Sequence, residues 1–218
     1  MRKVILNVAV GVGHYQRSAE RQARSLQAVG ETCDRIARTD LPPGCPSHQE
    51  QPFAFKPYIF KEARDLGYTH ALWLDSTCVV HKPLDAIWET IDLEGGFFWN
   101  SGFTCGQWCS DRCLDGMRCT REEAWRMPMI QATVIGLRFD ADRGFLDQWL
   151  EHVPLFHGAW TNKRGEVSRD PGVDGHRHDQ SVASILANRM EFKMAEPPLL
   201  VYENPTEQTV FQNLGPGR

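Results

Sequence analysis

Apolar strands alternating with amphipathic helices predict an α/β fold, with a mostly parallel central sheet flanked by helices. Two runs carry the prediction. Residues 4–10 (VILNVAV) and 70–74 (HALWL) are almost continuously apolar, as strands covered on both faces are, and helical periodicity fills much of the chain between them. Length supports it. The 218 residues exceed the usual ~150 per domain by little more than three breaker-rich loops, so one domain over residues 1–218 is expected.

The elements follow in order. The first strand ends at Gly11-Val12-Gly13. Residues 17–29 place Ala19, Ala23, Leu26 and Val29 at helical intervals, and a short polar strand is expected at 35–38. Residues 41–52 (LPPGCPSHQEQP) hold too many turn formers for anything but loop. A helix over 57–66 has Pro57 in its first turn and Gly67 as its stop. Strand 70–74 then ends at Asp75. Pro83 opens a helix over 84–91, and 95–99 (GGFFW) is a core strand. Residues 100–120 read as an irregular Cys-rich insertion. Residues 131–138 return to strand, and 140–152 form an amphipathic helix carrying Phe145, Leu146, Trp149 and Leu150. Residues 157–177 lack any apolar period and are expected to form a long flexible flap. The last helix, 178–190, turns Val182, Ile185, Leu186 and Met190 inward. A short strand is expected at 199–202, and the tail after Pro205 is expected to be loosely held.

Composition excludes several classes. With 41% hydrophobic and 24% charged residues, the chain is neither disordered, collagenous nor coiled coil. Lysines and arginines number 24 against 28 acids, a net charge of −4, so the global basic footprint of a dedicated nucleic-acid binder is missing. No stretch approaches the ~20 apolar residues of a membrane span. The start, MRK followed by an apolar run, superficially resembles a signal peptide. It contains Asn7 and lacks a small-x-small cleavage site, so it reads as the first strand. Seven cysteines cannot all pair, and a chain of this size needs no staples, so a reducing, cytoplasmic location is expected.

The chemistry concentrates in a few places. Asp75 follows an apolar strand, and in open α/β sheets ligands bind outside the carboxyl ends of strands; Ser76 and Thr77 add hydroxyls. His176-Arg177-His178-Asp179-Gln180-Ser181 is dense polarity beside an apolar helix. There His176 or His178 offers a ring nitrogen as a metal ligand, and Asp179 or Gln180 offers hydrogen bonds to a bound molecule. Trp108 supplies an apolar face and Asp111 acceptors for hydroxyls, with Gln131 placed to line the same cleft. Gly11-Val12-Gly13 lacks the third glycine and downstream acid of a dinucleotide fingerprint. Cys105, Cys109, Cys113 and Cys119 sit near, but not at, zinc-ligand spacing; local disulfides or reduced thiols fit them as well.

The segment 55–87, FKPYIFKEARDLGYTHALWLDSTCVVHKPLDAI, resembles nucleotide-sugar glycosyltransferases of the GT-A fold, glycogenin-like enzymes among them. The resemblance implies a Rossmann-like α/β domain that moves a hexose or pentose from a nucleoside-diphosphate sugar, UDP-sugars favoured, to a hydroxyl acceptor. It carries Asp75 onto the first aspartate of an Asp-x-Asp motif that holds Mn²⁺ or Mg²⁺ against the donor diphosphate; Thr77 stands where the second aspartate would be. It sets Lys56 near the donor phosphates, Gly11 and Tyr15 at the nucleobase and ribose, and 178–180 near sugar and acceptor. Asp179 or Asp111 would be the carboxylate base of an inverting enzyme, while the glycogenin-like resemblance leans towards retention. Short chains of this kind also resemble phage enzymes that decorate hydroxymethylated DNA bases, and the basic loop 162–169 with Arg177 and Arg189 would meet phosphates. Two other classes stay open: a catalytically inactive, zinc-stabilised interaction module, and a nucleotidyl- or phosphotransferase using the same cleft.

Overall fold

A computed structural model of the chain describes residues 1–11, 13–196, 200–202 and 204–215. The seven-stranded sheet has the order β2-β1-β3-β7-β5-β6, with β8 on the other side of β5. Its strands are β1 (Lys3–Val8), β2 (Asp34–Arg38), β3 (His70–Leu74), β5 (Gly96–Thr104), β6 (Pro128–Ile130), β7 (Val134–Arg138) and β8 (Met194–Ala195). Pairing sets β1, β2, β3, β5 and β8 in one direction and β6 and β7 in the other, so the expected mostly parallel centre is present. The carboxyl ends of β1, β3 and β5 therefore open on one edge.

Alternation along the strands builds a three-layer core. Val4, Leu6, Ala71 and Trp73 face one cluster with α2 (Phe55–Asp65), α7 (Phe145–Glu151) and α8 (Asp179–Arg189). Ile5, Leu72 and Leu74 face the other, with α1 (Gly13–Ala28) and α3 (Asp85–Glu94). Both faces of β1 and β3 are covered, which is why their sequences read as unbroken apolar runs. Gly95 ends α3 at φ 79, where a Cβ would meet the Ala141 carbonyl oxygen at 2.2 Å; only glycine fits there.

Several expectations need correction. Residues 100–120 are not irregular: β5 runs on to Thr104, and α4 (Cys105–Trp108) and α5 (Asp111–Gly116) follow, then α6 (Arg121–Arg126). Thr104 and Thr120 open α4 and α6 with capping boxes to Gln107 and Glu123, local signals that the cysteines obscured. The four cysteines are free, buried thiols facing the core. The helix expected at 140–152 starts at Phe145, because the Asp142 carboxylate accepts from the amides of Gly144 and Leu146 and holds a turn. The flap is tied down rather than free. Asn162 accepts from Val167 and Ser168 and donates to the Ser168 carbonyl, and the Asp174 amide donates to the Gln107 carbonyl.

The tail is held too. β10 (Phe211–Asn213) lies between β4 (Cys78–Val80) and β9 (Leu200–Val201), with Phe211 fully buried. The expected strand 199–202 is this β9; residue 199 lies outside the described residues, as does Val12 of the Gly-x-Gly. No helix among the described residues is long and apolar enough to cross a membrane.

Candidate active site

Asp75 is fixed from every side. It ends β3, its amide donates to the Thr133 carbonyl, and its own carbonyl accepts from the Gln22 side chain at 2.6 Å. Gln22 is polar on the buried face of α1 for this purpose, since it also reaches the Leu74 carbonyl. The Asp75 carboxylate accepts from Trp73 Nε1 at 2.8 Å and lies 3.4 Å from Lys56 Nζ. With its side chain 30% exposed, Asp75 remains open to a ligand.

Lys56 is 4% exposed, unusual for lysine. It sits in the first turn of α2 and points its ammonium inward. Nζ lies 2.9 Å from Asp179 Oδ2 and donates to the Ala132 carbonyl at 3.0 Å. That carbonyl is free because residues 131–133 leave the ladder between β6 and β7. The rings of Phe53 and Trp73 flank the ammonium at 5.5 and 5.6 Å.

Asp179 is the first residue of α8, 3% exposed, and its carbonyl accepts from Trp149 Nε1. Burial pushes its carboxyl up to about 6 against the pull of Lys56, and Asp75 adds to the rise. Burial acts downward on Lys56, but Asp179 and then Asp75 outweigh it and its pKa is raised. Two carboxylates thus share one ammonium, and the buried triad carries one uncompensated negative charge when all three ionise.

The triad floors a cleft of about 530 Å³. Phe53, Trp99, Phe103, Trp108, Trp160 and Tyr202 give it aromatic walls, with Gln131, Gln180, Arg177 and Asn213 as polar groups. Gln131 donates to the Tyr202 hydroxyl and, at 3.1 Å, to Thr133 Oγ1. Gln180 accepts from the Ala132 amide. Six of the expected residues therefore meet here: Lys56, Asp75, Asp179, Gln180, Trp108 and Gln131. Asn213 and the rings of Phe53, Trp160 and Tyr202 were not singled out as site residues, and Arg177 was expected only at the phosphates of a DNA acceptor. Asn213 and Tyr202 arrive from the C-terminal strands, whose pairing leaves no local signal. Trp160 sits in a segment without periodicity.

The remaining expected residues lie elsewhere. Ser76 and Thr77 are buried in the turn after β3 and are absent from the cleft wall; the Thr77 carbonyl accepts from the Leu214 amide, tying the turn to β10. Gly11 and Tyr15 stand at the end of β1 and in the first turn of α1, also outside this wall. Asp111 is not free to act as a base here. Its carboxylate takes Arg121 at 2.5 Å, Ser168 Oγ at 2.7 Å and the Arg169 amide, so it anchors the 157–177 loop to α6.

The histidines do not join Asp75. His176 is fully buried, with Nε2 donating to the Leu155 carbonyl and Nδ1 accepting from the Ser110 amide; a carbonyl only accepts, which fixes the tautomer. His178 donates from Nδ1 to the Phe156 carbonyl at 2.6 Å and packs against Phe53 and Trp160. Burial holds its pKa down at about 4. Its backbone, at φ 51 and ψ −116, costs a non-glycine residue about 1–3 kcal/mol. That strain is where the chain turns Arg177 and Asp179 into one cleft. Among the described residues no three His, Cys, Asp or Glu side chains gather to hold a metal ion, so the expected Asp75–His176–His178 set is not formed.

No protein-family model and no curated protein matches the sequence. Solved structures do. A glycosyltransferase involved in glycosylation of the major capsid of PBCV-1 superposes with a TM-score of 0.52 at 13% identity, over 98% of this chain and 93% of its own. Mouse xyloside xylosyltransferase 1 gives 0.50 at 10% identity, over 96% of each chain. The fold is that of GT-A glycosyltransferases. The bifunctional glycosyltransferase WbbM matches at 0.52 and 11% identity, over 93% of this chain and 40% of its own. In this GT-A fold the carboxyl end of β3, with Asp75, opens into the cleft described above.

Proposed function

We propose that this protein transfers a glycosyl group from a nucleoside-diphosphate sugar, a UDP-sugar in the first instance, to a hydroxyl acceptor. The observation that carries the reading is the Lys56–Asp75–Asp179 triad at the carboxyl end of β3, flooring an aromatic cleft in a GT-A fold. Rings offer faces to sugar C–H groups, and the carboxylates and amides offer partners to hydroxyls. In the reaction the bond from the anomeric carbon to the diphosphate oxygen breaks with its electron pair staying on that oxygen, the acceptor oxygen bonds to that carbon, and the acceptor's hydroxyl proton passes to the departing diphosphate or to solvent. Asp179, ionised above about pH 6, is the group suited to stabilise positive charge developing at the anomeric centre. Lys56 holds both carboxylates in place.

Asp75 presents one accessible carboxylate, too little for a resident metal but enough to share a hard cation that arrives with the donor phosphates. Such a cation would neutralise the departing diphosphate. Calorimetry is expected to show no Mn²⁺ binding by the protein alone, UDP binding that tightens when Mn²⁺ is present, and no such tightening with Asp75→Asn. Tight Mn²⁺ binding without nucleotide would refute this arrangement.

The reading itself is tested by incubating the protein with a panel of hexose and pentose nucleotide sugars and assaying nucleotide release. Release from at least one donor is expected, reduced at least about tenfold in Asp75→Ala. No turnover and no binding of any donor sinks the proposal. Adding simple glycosides, protein and hydroxymethylated DNA to the active donor then identifies the acceptor.

A further inference from the structure

Among the described residues two basic side chains line the cleft, Lys56 and Arg177. Lys56 is fully engaged by two carboxylates and a carbonyl. Arg177 is not. Its guanidinium carbon stands 3.8 Å from the ring centroid of Trp108 and 5.0 Å from that of Trp160. Among the described residues it makes no ion pair and its guanidinium donates no hydrogen bond; burial lowers its pKa, and Tyr202 and then Asp174 oppose this only through space. The backbone is pinned as well. The Arg177 amide donates to Ser181 Oγ at 2.9 Å and to the Trp108 carbonyl at 3.2 Å, and its carbonyl accepts from Gln180. The strained His178 follows directly.

Ring faces compensate part of the charge's lost hydration, but they do not satisfy the five N–H donors of a guanidinium. Such a fork matches a carboxylate or phosphate with two parallel hydrogen bonds. Because two tryptophans already restrict the side chain, little rotamer freedom remains to be lost when an anion docks. The position also selects among ligands. Both rings come from α4 and the 157–177 loop, the wall that also carries Gln131, and not from the turn after β3 that carries Asp75.

We infer that the acceptor carries an oxyanion, a carboxylate or a phosphate, which Arg177 grips between Trp108 and Trp160. This rests on the glycosyl-transfer reading of the same cleft. The flanking indoles make binding visible in tryptophan fluorescence without any donor. Wild-type protein is titrated with methyl β-D-glucuronide, methyl β-D-glucoside and the 6-phosphate of that glucoside. One of the two anionic glycosides is expected to bind at least about tenfold more tightly than the neutral one, the worth of a charge-assisted pair; whichever does so identifies the oxyanion. In Arg177→Gln the preference is expected to fall within about twofold, and Arg177→Lys, which keeps the charge and loses the fork, to lie between.

Equal affinity for charged and neutral glycosides in wild type overturns the inference, as does a preference that survives Arg177→Gln. A loss of UDP affinity in Arg177→Gln as large as the loss of anionic-glycoside affinity also overturns it, by assigning the arginine to the donor. The titrations need no turnover, so a protein that hydrolyses no nucleotide sugar fails the transferase reading on that assay alone. Oxyanion preference in such a protein would refute the acceptor assignment and leave a plain anion site.

Discussion

Lys56→Met is expected to destabilise the fold by about 3–5 kcal/mol at pH 7.5, the usual cost of removing one partner from a buried ion pair. Methionine fills most of the space of the lysine stem, so the loss is electrostatic rather than a cavity. Asp179 is left beside Asp75 at 3% exposure with no cation. The raised Lys56 pKa means its contribution is complete below about 10.5, the unfolded value, and disappears only as pH climbs through the folded one. At pH 7.5 it is fully present.

Two controls separate this from general damage. At pH 5 Asp179 in the variant takes up a proton, since its pKa is about 6 even with Lys56 in place; the difference from wild type should shrink. In the double variant Lys56→Met/Asp179→Asn no stranded carboxylate remains beside Asp75, so stability should recover by well over the ~0.5 kcal/mol scatter of independent sites. Urea titrations of the three proteins at both pH values measure this. An equal loss at pH 5 and 7.5 would show that Lys56 acts through packing.

The contrast between what the residues announced and what they hid follows physical lines. The centre of the fold was legible because β1 and β3 are buried on both faces and α2 turns Ile59, Phe60 and Ala63 to the core along one side. Asp75 was legible for the same reason, as a carboxylate ending a buried strand. Lys56 was located, but its burial was not, because nothing local tells a lysine at a helix start to point inward; that depends on Ala132 leaving its ladder far along the chain. His176 and His178 misled because ring nitrogens are equally good ligands and hydrogen-bonding groups. Their partners, the carbonyls of Leu155 and Phe156, come from a 3₁₀ turn about twenty residues earlier that carries no motif. Asp111 misled likewise, its three partners lying in α6 and the 157–177 loop. Phe211, the apolar anchor that fastens the C-terminal strand and so delivers Asn213 to the cleft, is a single buried ring in a polar tail, too short a signal for a strand.

Asp179→Asn is expected to slow transfer by about 10²–10³-fold while leaving the protein more stable. In wild type the folded pKa of Asp179 is about 6 against about 3.9 unfolded. The folded state therefore binds the proton more tightly, and stability falls as pH rises between these values. Above pH 6 the ionised carboxylate has cost up to about 3 kcal/mol, on the order of two pKa units. That figure already includes the attraction of Lys56. Asparagine resembles the protonated form at every pH, so the variant should match wild type below about pH 4 and exceed it by up to that amount at pH 7.5, with Lys56 still paired to Asp75. Thermal or urea unfolding across pH 4–8 reads this directly.

Activity should move the other way. A preorganised charge at the anomeric centre is worth about 10²–10³ in rate, and the variant lacks it at all pH values. In wild type the same carboxylate must be ionised to act, so kcat/KM should rise through about pH 6 over the range in which stability falls. That acid limb should be missing from whatever residual activity Asp179→Asn retains. A variant that is both less stable at pH 7.5 and still active would mean that Asp179 serves the fold by holding Lys56, and that another group meets the transition state.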